Sequence, residues 1–314
     1  MEPAVEPYDS GLLTVADGSK IYWEASGNPK GRPALYLHGG PGGPLGAGYR
    51  RRFDADRFLI VGMDQRGSGR SRPLASEDLG SLAINTTTQL LADTEELRAH
   101  LGIDHWLVHG VSWGTTLAIA YAVAHPDRVT GVVLTGVGVT SPRSVEWITE
   151  TIGMLFPIEW ERFEHASRRQ TGERIVDAFH RLLTQPGLEH RRRAAAEWCR
   201  WEGVHMSLGP GLDDSPLFED EPDLQLLFAT LVTHYWSHDG FLDHDRVLAQ
   251  IPTLAGIPCV MIHGRHDVSG PAGFAYEIKR AWPGSELILV DEGHGGPQMM
   301  ELTTEAIARL GGTP

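Results

Sequence analysis

Gly110-Val111-Ser112-Trp113-Gly114 has the pattern G-x-S-x-G and lies between two segments of different character. Residues 105–109 (HWLVH) form an apolar run that predicts a short buried strand. Residues 115–126 (TTLAIAYAVAHP) are rich in small side chains and predict a helix that ends near the proline. Glycines are needed on both sides of such a serine, because the turn strains its backbone and leaves little room. The order of strand, turn and helix predicts Ser112 as a nucleophile, with a glycine and serine turn without chemistry as the alternative.

Strands and helices alternate around this turn. Seven further strands are predicted at residues 11–18, 20–27, 33–40, 57–67, 129–136, 258–264 and 286–293. Helices are predicted at residues 86–101, 275–282 and 301–310. Because strands that are joined by helices usually run parallel, the alternation predicts the α/β class. We expect a mostly parallel eight-stranded sheet with helices on both faces.

The sequence changes character between residues 139 and 245, where it becomes helical, rich in tryptophan and rich in charge. This segment predicts an inserted helical cap, with a loop between its helices at residues 210–216. The core then consists of residues 1–138 and 246–314. An insertion after the sixth strand lies over the carboxyl ends of the strands, where open α/β sheets bind ligands. The cap is therefore expected to form the substrate pocket.

The composition excludes several classes of partner. A formal net charge of −14 disfavours nucleic acid or an anionic membrane surface as the main partner. The two cysteines, Cys199 and Cys259, lack C-x-x-C spacing, so a reducing compartment is expected rather than a disulfide framework or zinc site. Residues 1–10 lack the features of a signal peptide, and no apolar run reaches membrane-spanning length. We expect a soluble, cytoplasmic protein that acts on a small molecule or short peptide.

A serine hydroxyl is a weak nucleophile, so the chain must also supply a base and an acidic group that orients it. Asp267 follows the predicted strand at residues 258–262, and His294 follows the one at residues 287–290. The order Ser112, Asp267, His294 is that of α/β-hydrolase triads. The sequence therefore predicts these three residues as the catalytic set.

Each member of this set has an alternative. Asp267 can instead cap the following helix, and the residue that titrates in this loop can be its neighbour His266. Asp291 or Glu292 can instead be the acid beside the histidine. His294 is preferred among 15 histidines because a glycine on either side gives its loop the freedom to reach the serine.

Residues 38–43 (HGGPGG) directly follow a predicted strand and are the second strong signal. Attack by serine creates an oxyanion, which needs fixed N–H donors. We predict that these donors are the backbone N–H groups of Gly40 and Trp113. A flexible or phosphate-binding glycine loop is the weaker alternative, because the Lys-Ser/Thr pair of a Walker motif is absent.

Two further patterns are given structural roles. Residues 64–71 (DQRGSGRS) are predicted to form a turn that borders the site, since their spacing differs from that of a dinucleotide fingerprint. The spacing of His234 and His238 would allow them to share a helix face, but no acidic partner gives them a metalloprotease pattern. We expect neither a metal nor an organic cofactor.

The chain resembles the proline iminopeptidases, which are α/β-hydrolase-fold serine hydrolases. The motifs that carry the resemblance are HGGPGGP at 38–44, DQRGSGRSRP at 64–73, NTT at 85–87, residues 101–129, IPCVMIHGRHDV at 257–268 and EGHGG at 292–296. The resemblance covers nearly the whole core. It implies the nucleophile Ser112, the acid Asp267, the base His294 and the oxyanion donors Gly40 and Trp113.

In the cap, residues 198–202 (WCRWE) resemble the family's W-x-x-W-E, whose glutamate receives the free amino group of an N-terminal proline. Glu202 is thus a candidate ammonium anchor, with an exposed helix carboxylate as the alternative. The chain departs from the family pattern at Thr135, Gly138 and Val232, which stand where an arginine, an aromatic residue and a second glutamate are usual. The residues predicted to bind substrate are Glu202, Trp198, Trp201, Gly39, Gly138, Val232 and Tyr235.

These observations predict a serine hydrolase that cleaves an N-terminal proline, or a similar acyl group with a free amine, from an amide or ester. The departures favour a larger acyl pocket. One alternative is an esterase, amino-acid amidase or specialised-metabolite hydrolase on the same scaffold. A second alternative is a non-catalytic ligand-binding protein of the same fold.

Overall fold

The computed structural model describes residues 5–206 and 216–312. Nearly all of the predicted loop at residues 210–216 therefore lies outside the described residues. The strands are β1 (Asp9–Thr14), β2 (Lys20–Gly27), β3 (Arg32–Leu37), β4 (Phe58–Met63), β5 (Trp106–Val111), β6 (Val129–Thr135), β7 (Cys259–Gly264) and β8 (Glu286–Val290). The α-helices are α1 (Thr87–His100), α2 (Trp113–Ala124), α3 (Pro142–Thr149), α4 (Pro157–Ser167), α5 (Ile175–Thr184), α6 (Leu188–Met206), α7 (Pro222–Ser237), α8 (His244–Gln250), α9 (Ala272–Ala281) and α10 (Pro297–Leu310).

The strands form one eight-stranded sheet in the order β1-β2-β4-β3-β5-β6-β7-β8. β1 and β2 pair antiparallel, and β2 pairs antiparallel with β4, whereas every pair from β4 to β8 is parallel. β7 is buried along its whole length, as expected for a parallel strand covered by helices on both faces. The predicted α/β fold with a mostly parallel eight-stranded sheet is confirmed.

The register brings the carboxyl ends of three strands together. Leu37 of β3 pairs with Gly110 of β5, and Val111 of β5 pairs with Thr135 of β6. Ser112 directly follows β5 and so lies at the centre of this edge. The residues that follow β3, β6, β7 and β8 can all reach it, because parallel strands end on the same side.

The strand bounds differ from the sequence prediction in two informative places. β1 ends at Thr14 rather than Gly18, because a tight turn begins at Val15, whose N–H donates to Ser19 O at 2.9 Å. β3 ends at Leu37 rather than Gly40, because the glycine-rich loop leaves the sheet. Turn geometry at the strand ends explains both differences.

Helices α3 to α8 occupy the connection between β6 and β7. α4, α5 and α6 meet at Phe163, whose ring stacks on Phe179 at 4.8 Å and on Trp201 at 5.0 Å between centroids. Aromatic side chains therefore hold these helices together, and they are continuous with the hydrophobic core around the sheet. The division of the chain at residues 138/139 and 245/246 stays a prediction. Within the described ranges, no helix is long and apolar enough to cross a membrane.

Candidate active site

Ser112 lies in a strained turn between β5 and α2, with φ 54° and ψ −121°. A side chain in this region costs roughly 1–3 kcal/mol, so the surroundings must hold it. Its N–H donates to Thr135 O at 2.9 Å. A Cβ added at Gly110 would lie 2.3 Å from Gly114 O, and one added at Gly114 would lie 2.1 Å from Leu37 O. The expected need for glycine on both sides of the serine is confirmed.

Ser112, His294 and Asp267 form a continuous hydrogen-bonded chain. His294 Nε2 lies 3.0 Å from Ser112 Oγ, and His294 Nδ1 lies 2.8 Å from Asp267 Oδ2. The other carboxylate oxygen, Asp267 Oδ1, accepts the Gly270 N–H at 2.9 Å. These distances are those of a nucleophile, a base and an orienting acid within hydrogen-bond reach of one another.

Two ionisable groups in this chain have shifted pKa values. Burial alone raises the pKa of Asp267, but the charge and hydrogen bond of His294 outweigh it and lower that pKa. Burial alone lowers the pKa of His294, but the charge and hydrogen bond of Asp267, with the charge of Glu202, raise it. The carboxylate therefore stays ionised and stabilises the imidazolium that forms when the serine loses its proton.

The alternative residues occupy other positions. Asp291 is exposed and pairs with Arg265, and Glu292 accepts the N–H groups of Gln298 and Met299 at the start of α10. His266 is exposed. Of the acidic and histidine side chains weighed from the sequence, the structure therefore brings only Asp267 and His294 into line with the serine.

The glycine loop and the start of α2 lie on either side of the nucleophile. Trp113 is the first residue of α2, so its N–H has no acceptor within the helix and lies at the positive end of the helix dipole. Gly40 lines the same cavity as Ser112. Both predicted oxyanion donors therefore come from backbone beside the serine, which is where a negative oxygen would form.

The predicted turn at residues 64–71 fixes this arrangement through Gln65. Its backbone N–H donates to His38 Nε2 at 3.0 Å, and its side-chain NH₂ donates to His38 O at 2.9 Å. Gln65 Oε1 also accepts from Trp113 Nε1 at 2.9 Å. The Gln65 side chain thus joins the glycine loop to the first residue of α2. The turn therefore fixes the positions of these two segments relative to each other.

A cavity of about 390 Å³ opens over Ser112 and His294. Three residues predicted to bind substrate, Gly39, Gly138 and Glu202, line it. Its apolar walls include Ile148, Phe228 and Trp236 of the inserted helices and Phe274 of α9. Helices α3, α6 and α7 therefore cover the carboxyl ends of the strands, where we expected the substrate pocket.

Four residues predicted to contact substrate do not line this cavity, and the prediction for them is corrected. Trp198 is fully buried one helical turn before Glu202 and donates its Nε1–H to Glu202 Oε1 at 3.0 Å. Trp201 faces the aromatic core and donates its Nε1–H to Ile148 O at 3.0 Å. The two tryptophans thus lie behind the pocket, and Trp198 acts on it only through the glutamate.

The correction on α7 concerns which residues of one helix face reach the cavity. Val232 is fully buried, and Tyr235 packs its ring 4.9 Å from that of Trp113. Phe228 and Trp236 line the cavity instead. Phe228, Val232 and Trp236 follow one another at a spacing of four residues on one face of α7, so the shorter side chain at Val232 and the packing of Tyr235 on Trp113 separate the predicted residues from the cavity.

Glu202 is only 4% exposed, so its alternative as a solvent-facing carboxylate is wrong. Burial raises the pKa of Glu202 to about 7, although the Trp198 hydrogen bond and the charge of His294 lower it. A buried carboxylate that borders a cavity and has few donors around it is suited to bind a cation.

The structure shows what surrounds two of the positions that depart from the family pattern, Thr135 and Gly138. Thr135 Oγ1 lies 2.8 Å from Thr303 Oγ1, so this side chain bonds to α10. A Cβ added at Gly138 would meet no atom within 4 Å. The cavity is therefore open at Gly138, in agreement with the expected loss of a wall.

Sequence reasoning missed His205, which lines the cavity and lies three residues after Glu202 on α6. Residues three apart share a helix face, so the spacing could have identified it.

The histidines weighed as metal ligands make other contacts. His234 Nε2 lies 2.8 Å from Asn85 O, and His238 Nδ1 lies 2.8 Å from His234 O. In the part of the chain that the structure describes, no group of three or more His, Cys, Asp or Glu residues is placed to hold a metal ion.

Known proteins resemble this chain in both sequence and structure. It is 43% identical over 322 aligned residues to a probable proline iminopeptidase of Streptomyces coelicolor, with 99% of this chain and 98% of the relative covered. It is 40% identical to a proline iminopeptidase of Arabidopsis thaliana, with 92% of this chain and 76% of the relative covered. The solved structure of an esterase from Exiguobacterium antarcticum shares its fold, with a TM-score of 0.64, 20% identity, and coverage of 96% of this chain and 99% of the other.

A family model described as the alpha/beta hydrolase fold matches residues 33–296. This range extends from β3 to the loop after β8, so it includes the elbow, the glycine loop and the residues around Asp267 and His294. With these matches over nearly its full length, the chain belongs to the α/β-hydrolase fold family and, within it, to the proline iminopeptidases.

Proposed function

We propose that this protein is a serine hydrolase that removes an N-terminal proline, or a similar acyl group with a free amine, through an acyl-enzyme. The observation that carries the proposal is one cavity that contains both the Ser112–His294–Asp267 chain and the buried carboxylate Glu202. The relatives named proline iminopeptidases support the same substrate class. No metal or organic cofactor takes part in this chemistry.

In the first half of the reaction, His294 Nε2 takes the proton of Ser112 as Oγ attacks the scissile carbonyl carbon. The carbonyl oxygen becomes negative, and the N–H groups of Gly40 and Trp113 stabilise it. His294 then gives its proton to the leaving amine or alcohol, and the acyl group stays on the serine. Asp267 holds the imidazole in place throughout.

In the second half, His294 takes a proton from water, and the resulting hydroxide attacks the acyl carbon. The tetrahedral species uses the same two N–H donors. Return of the proton to Ser112 Oγ releases the free acid and restores the enzyme.

Glu202 supplies the specificity for a free amine. A substrate ammonium that enters this poorly hydrated cavity needs an opposite charge, since an unpaired buried cation is very costly. The ammonium in turn favours the ionised form of Glu202. The glutamate thus fixes the amino end of the substrate while the carbonyl lies at Ser112.

An esterase or amidase with a larger acyl group is the second candidate. The open space at Gly138 favours it, because this position adds no contact for a small amino acid. The hydrogen-bonded triad argues against the remaining alternative, a ligand-binding protein of the same fold without catalytic activity.

We also propose that the protein acts in the cytoplasm on a small molecule or short peptide. The net charge of −14 and two buried free cysteines support this placement. Burial raises the pKa of both Cys199 and Cys259, which makes their thiols poor nucleophiles.

The decisive experiment compares wild type and Ser112→Ala on prolyl, alanyl and larger aminoacyl arylamides and on simple acyl esters. We expect wild type to cleave the prolyl arylamide best and a fluorophosphonate to label Ser112. Faster turnover of amine-free esters would favour the second candidate, and equal activity of the two proteins would exclude the mechanism.

A further inference from the structure

His205 is a buried histidine that takes no part in the proposed triad. It is 2% exposed, lies on α6 and lines the cavity that contains Ser112. Its Nδ1 lies 2.8 Å from Ser269 Oγ. Its Nε2 lies 3.4 Å from Glu202 Oε2, and among the described residues this buried nitrogen has no hydrogen-bond partner.

Ser269 decides which nitrogen of His205 carries the proton. The Ser269 hydroxyl donates to the backbone O of His205 at 3.1 Å, and a carbonyl oxygen can only accept. The single hydroxyl proton is therefore used, so Ser269 Oγ accepts from His205 Nδ1–H. The lone pair of His205 then lies on Nε2, on the side of Glu202.

His205 keeps this neutral form. Burial and the charge of His294 lower the pKa of His205 to about 3, although the charge of Asp267 raises it. Two acceptors, a carboxylate oxygen and an imidazole lone pair, are therefore 3.4 Å apart in a poorly hydrated place. Such a pair is stable only when a proton or a donor group lies between or beside the two atoms.

We propose that His205 Nε2 is a second acceptor for the substrate amine, so that Glu202 Oε2 and His205 Nε2 each accept one N–H from the same protonated nitrogen. This inference rests on the proposed function and deepens it. It specifies the substrate class as a protonated amine with at least two N–H donors. The secondary ammonium of an N-terminal proline has two and satisfies both acceptors.

The first experiment measures KM and kcat of wild type, His205→Phe and His205→Gln on two substrates. One is a prolyl arylamide, and the other is an aryl ester of cyclopentanecarboxylic acid, which has the same ring size but no amine. We expect His205→Phe to raise KM for the prolyl substrate by about 10-fold or more, because a hydrogen bond to a charged group is lost. The ester should change less than about 3-fold, and His205→Gln, which keeps an acceptor oxygen, should recover part of the loss.

The second experiment changes the substrate instead of the enzyme. An N-methylprolyl arylamide has only one N–H in its protonated form. Wild type should lose about 10-fold in kcat/KM with this substrate, whereas His205→Phe should show a much smaller difference between the two arylamides. Equal ratios in the two proteins would overturn the second-acceptor role.

The outcomes separate this inference from the proposed function. If wild type cleaves the prolyl arylamide and His205→Phe does so with the same KM, the inference is wrong and the proposed function stands. Equal losses on arylamide and ester would also overturn it, since they would indicate a purely structural role. If His205→Phe does not fold, equal kcat/KM of wild type for the prolyl and N-methylprolyl substrates overturns it. If wild type cleaves only the ester, the proposed function fails first.

Discussion

Asp267 and Glu202 are two buried carboxylates beside one cavity, and their surroundings give them opposite behaviour. Asp267 receives a hydrogen bond from His294 and another from Gly270 N–H, and its pKa is lowered. Glu202 receives a hydrogen bond from Trp198, and burial raises its pKa to about 7. The first carboxylate has its positive partner within the protein, whereas the second is left for a cation that arrives with the substrate.

The two sites also differ in how the chain builds them. The triad lies in loops that directly follow parallel strands, where local turns fix the backbone. The amine site lies on helices of the insertion, where packing decides which side chains face the cavity. Reaction type and substrate choice therefore depend on separate parts of the molecule, and variants can test this separation.

The largest effect is expected from Ser112→Ala, which removes the nucleophile. Loss of this group in other triads costs up to about 10⁶-fold in kcat, and the amine-free ester should suffer as much as the prolyl arylamide. Stopped assays with both substrates, together with thermal unfolding of the variant, measure this. Residual activity within about 10-fold of wild type would place the reaction elsewhere.

Glu202→Gln should separate the two substrates. It removes the charge that balances the ammonium, so KM for the prolyl arylamide should rise about 10-fold to 100-fold, equivalent to about 1.4–2.8 kcal/mol. The ester should be almost unaffected. Equal KM values of the variant and wild type for the arylamide would remove the amine-anchor role and favour the esterase candidate.

The pH dependence should distinguish the carboxylates without any mutation. His294 must be neutral to act as base. For the ester, kcat/KM should therefore be maximal above the raised pKa of His294 and fall as the pH drops through that pKa. The arylamide also needs ionised Glu202, whose pKa is about 7, so its logarithmic profile should fall with a slope approaching 2 instead of 1.

Glu202→Gln provides the control for that profile. The charge of Glu202 raises the pKa of His294, so its removal should move the acid limb for the ester to lower pH. A shift to higher pH, or parallel slopes for both substrates in wild type, would contradict the assignment of the two carboxylates.

The smallest effect is expected from Trp198→Phe, which removes the hydrogen bond to Glu202 and leaves most of the packing. KM for the prolyl arylamide should change only a few-fold, because the glutamate itself remains. Trp201→Phe is the matched control, since its indole N–H bonds to Ile148 O instead. Equal effects of the two substitutions on KM would show that Trp198 acts through packing alone.

The contrast between the sites also explains what the sequence could predict. The predicted elbow, triad residues and glycine loop come together at one edge of the sheet, because short motifs restrict the backbone at Ser112 and its neighbours. The triad's catalytic role stays a prediction until the variants are measured.

The errors fall on helices that are buried on most sides. Every residue of α7 from Gln225 to Trp236 is buried, so the sequence does not distinguish the residues that line the cavity from those that pack beside it. Val232 and Tyr235 were predicted from the family resemblance, whereas Phe228 and Trp236 on the same helix face line the cavity. His205 could have been found from its spacing of three residues from Glu202, but its contact with Ser269, 64 residues away in sequence, leaves no local pattern.

Ser269 belongs to the same short loop as Asp267, yet within residues 5–206 and 216–312 its side chain forms hydrogen bonds to His205 on the insertion. A rigid displacement of α6 away from the sheet must therefore either break these two bonds or pull on the loop that carries the acid. The Ser269–His205 contact therefore links the position of α6 at the cavity to the loop that places Asp267 against His294. A redesign that moves the α6 backbone, and with it the His205 carbonyl bonded to Ser269, is therefore expected to alter the turnover rate along with the selectivity.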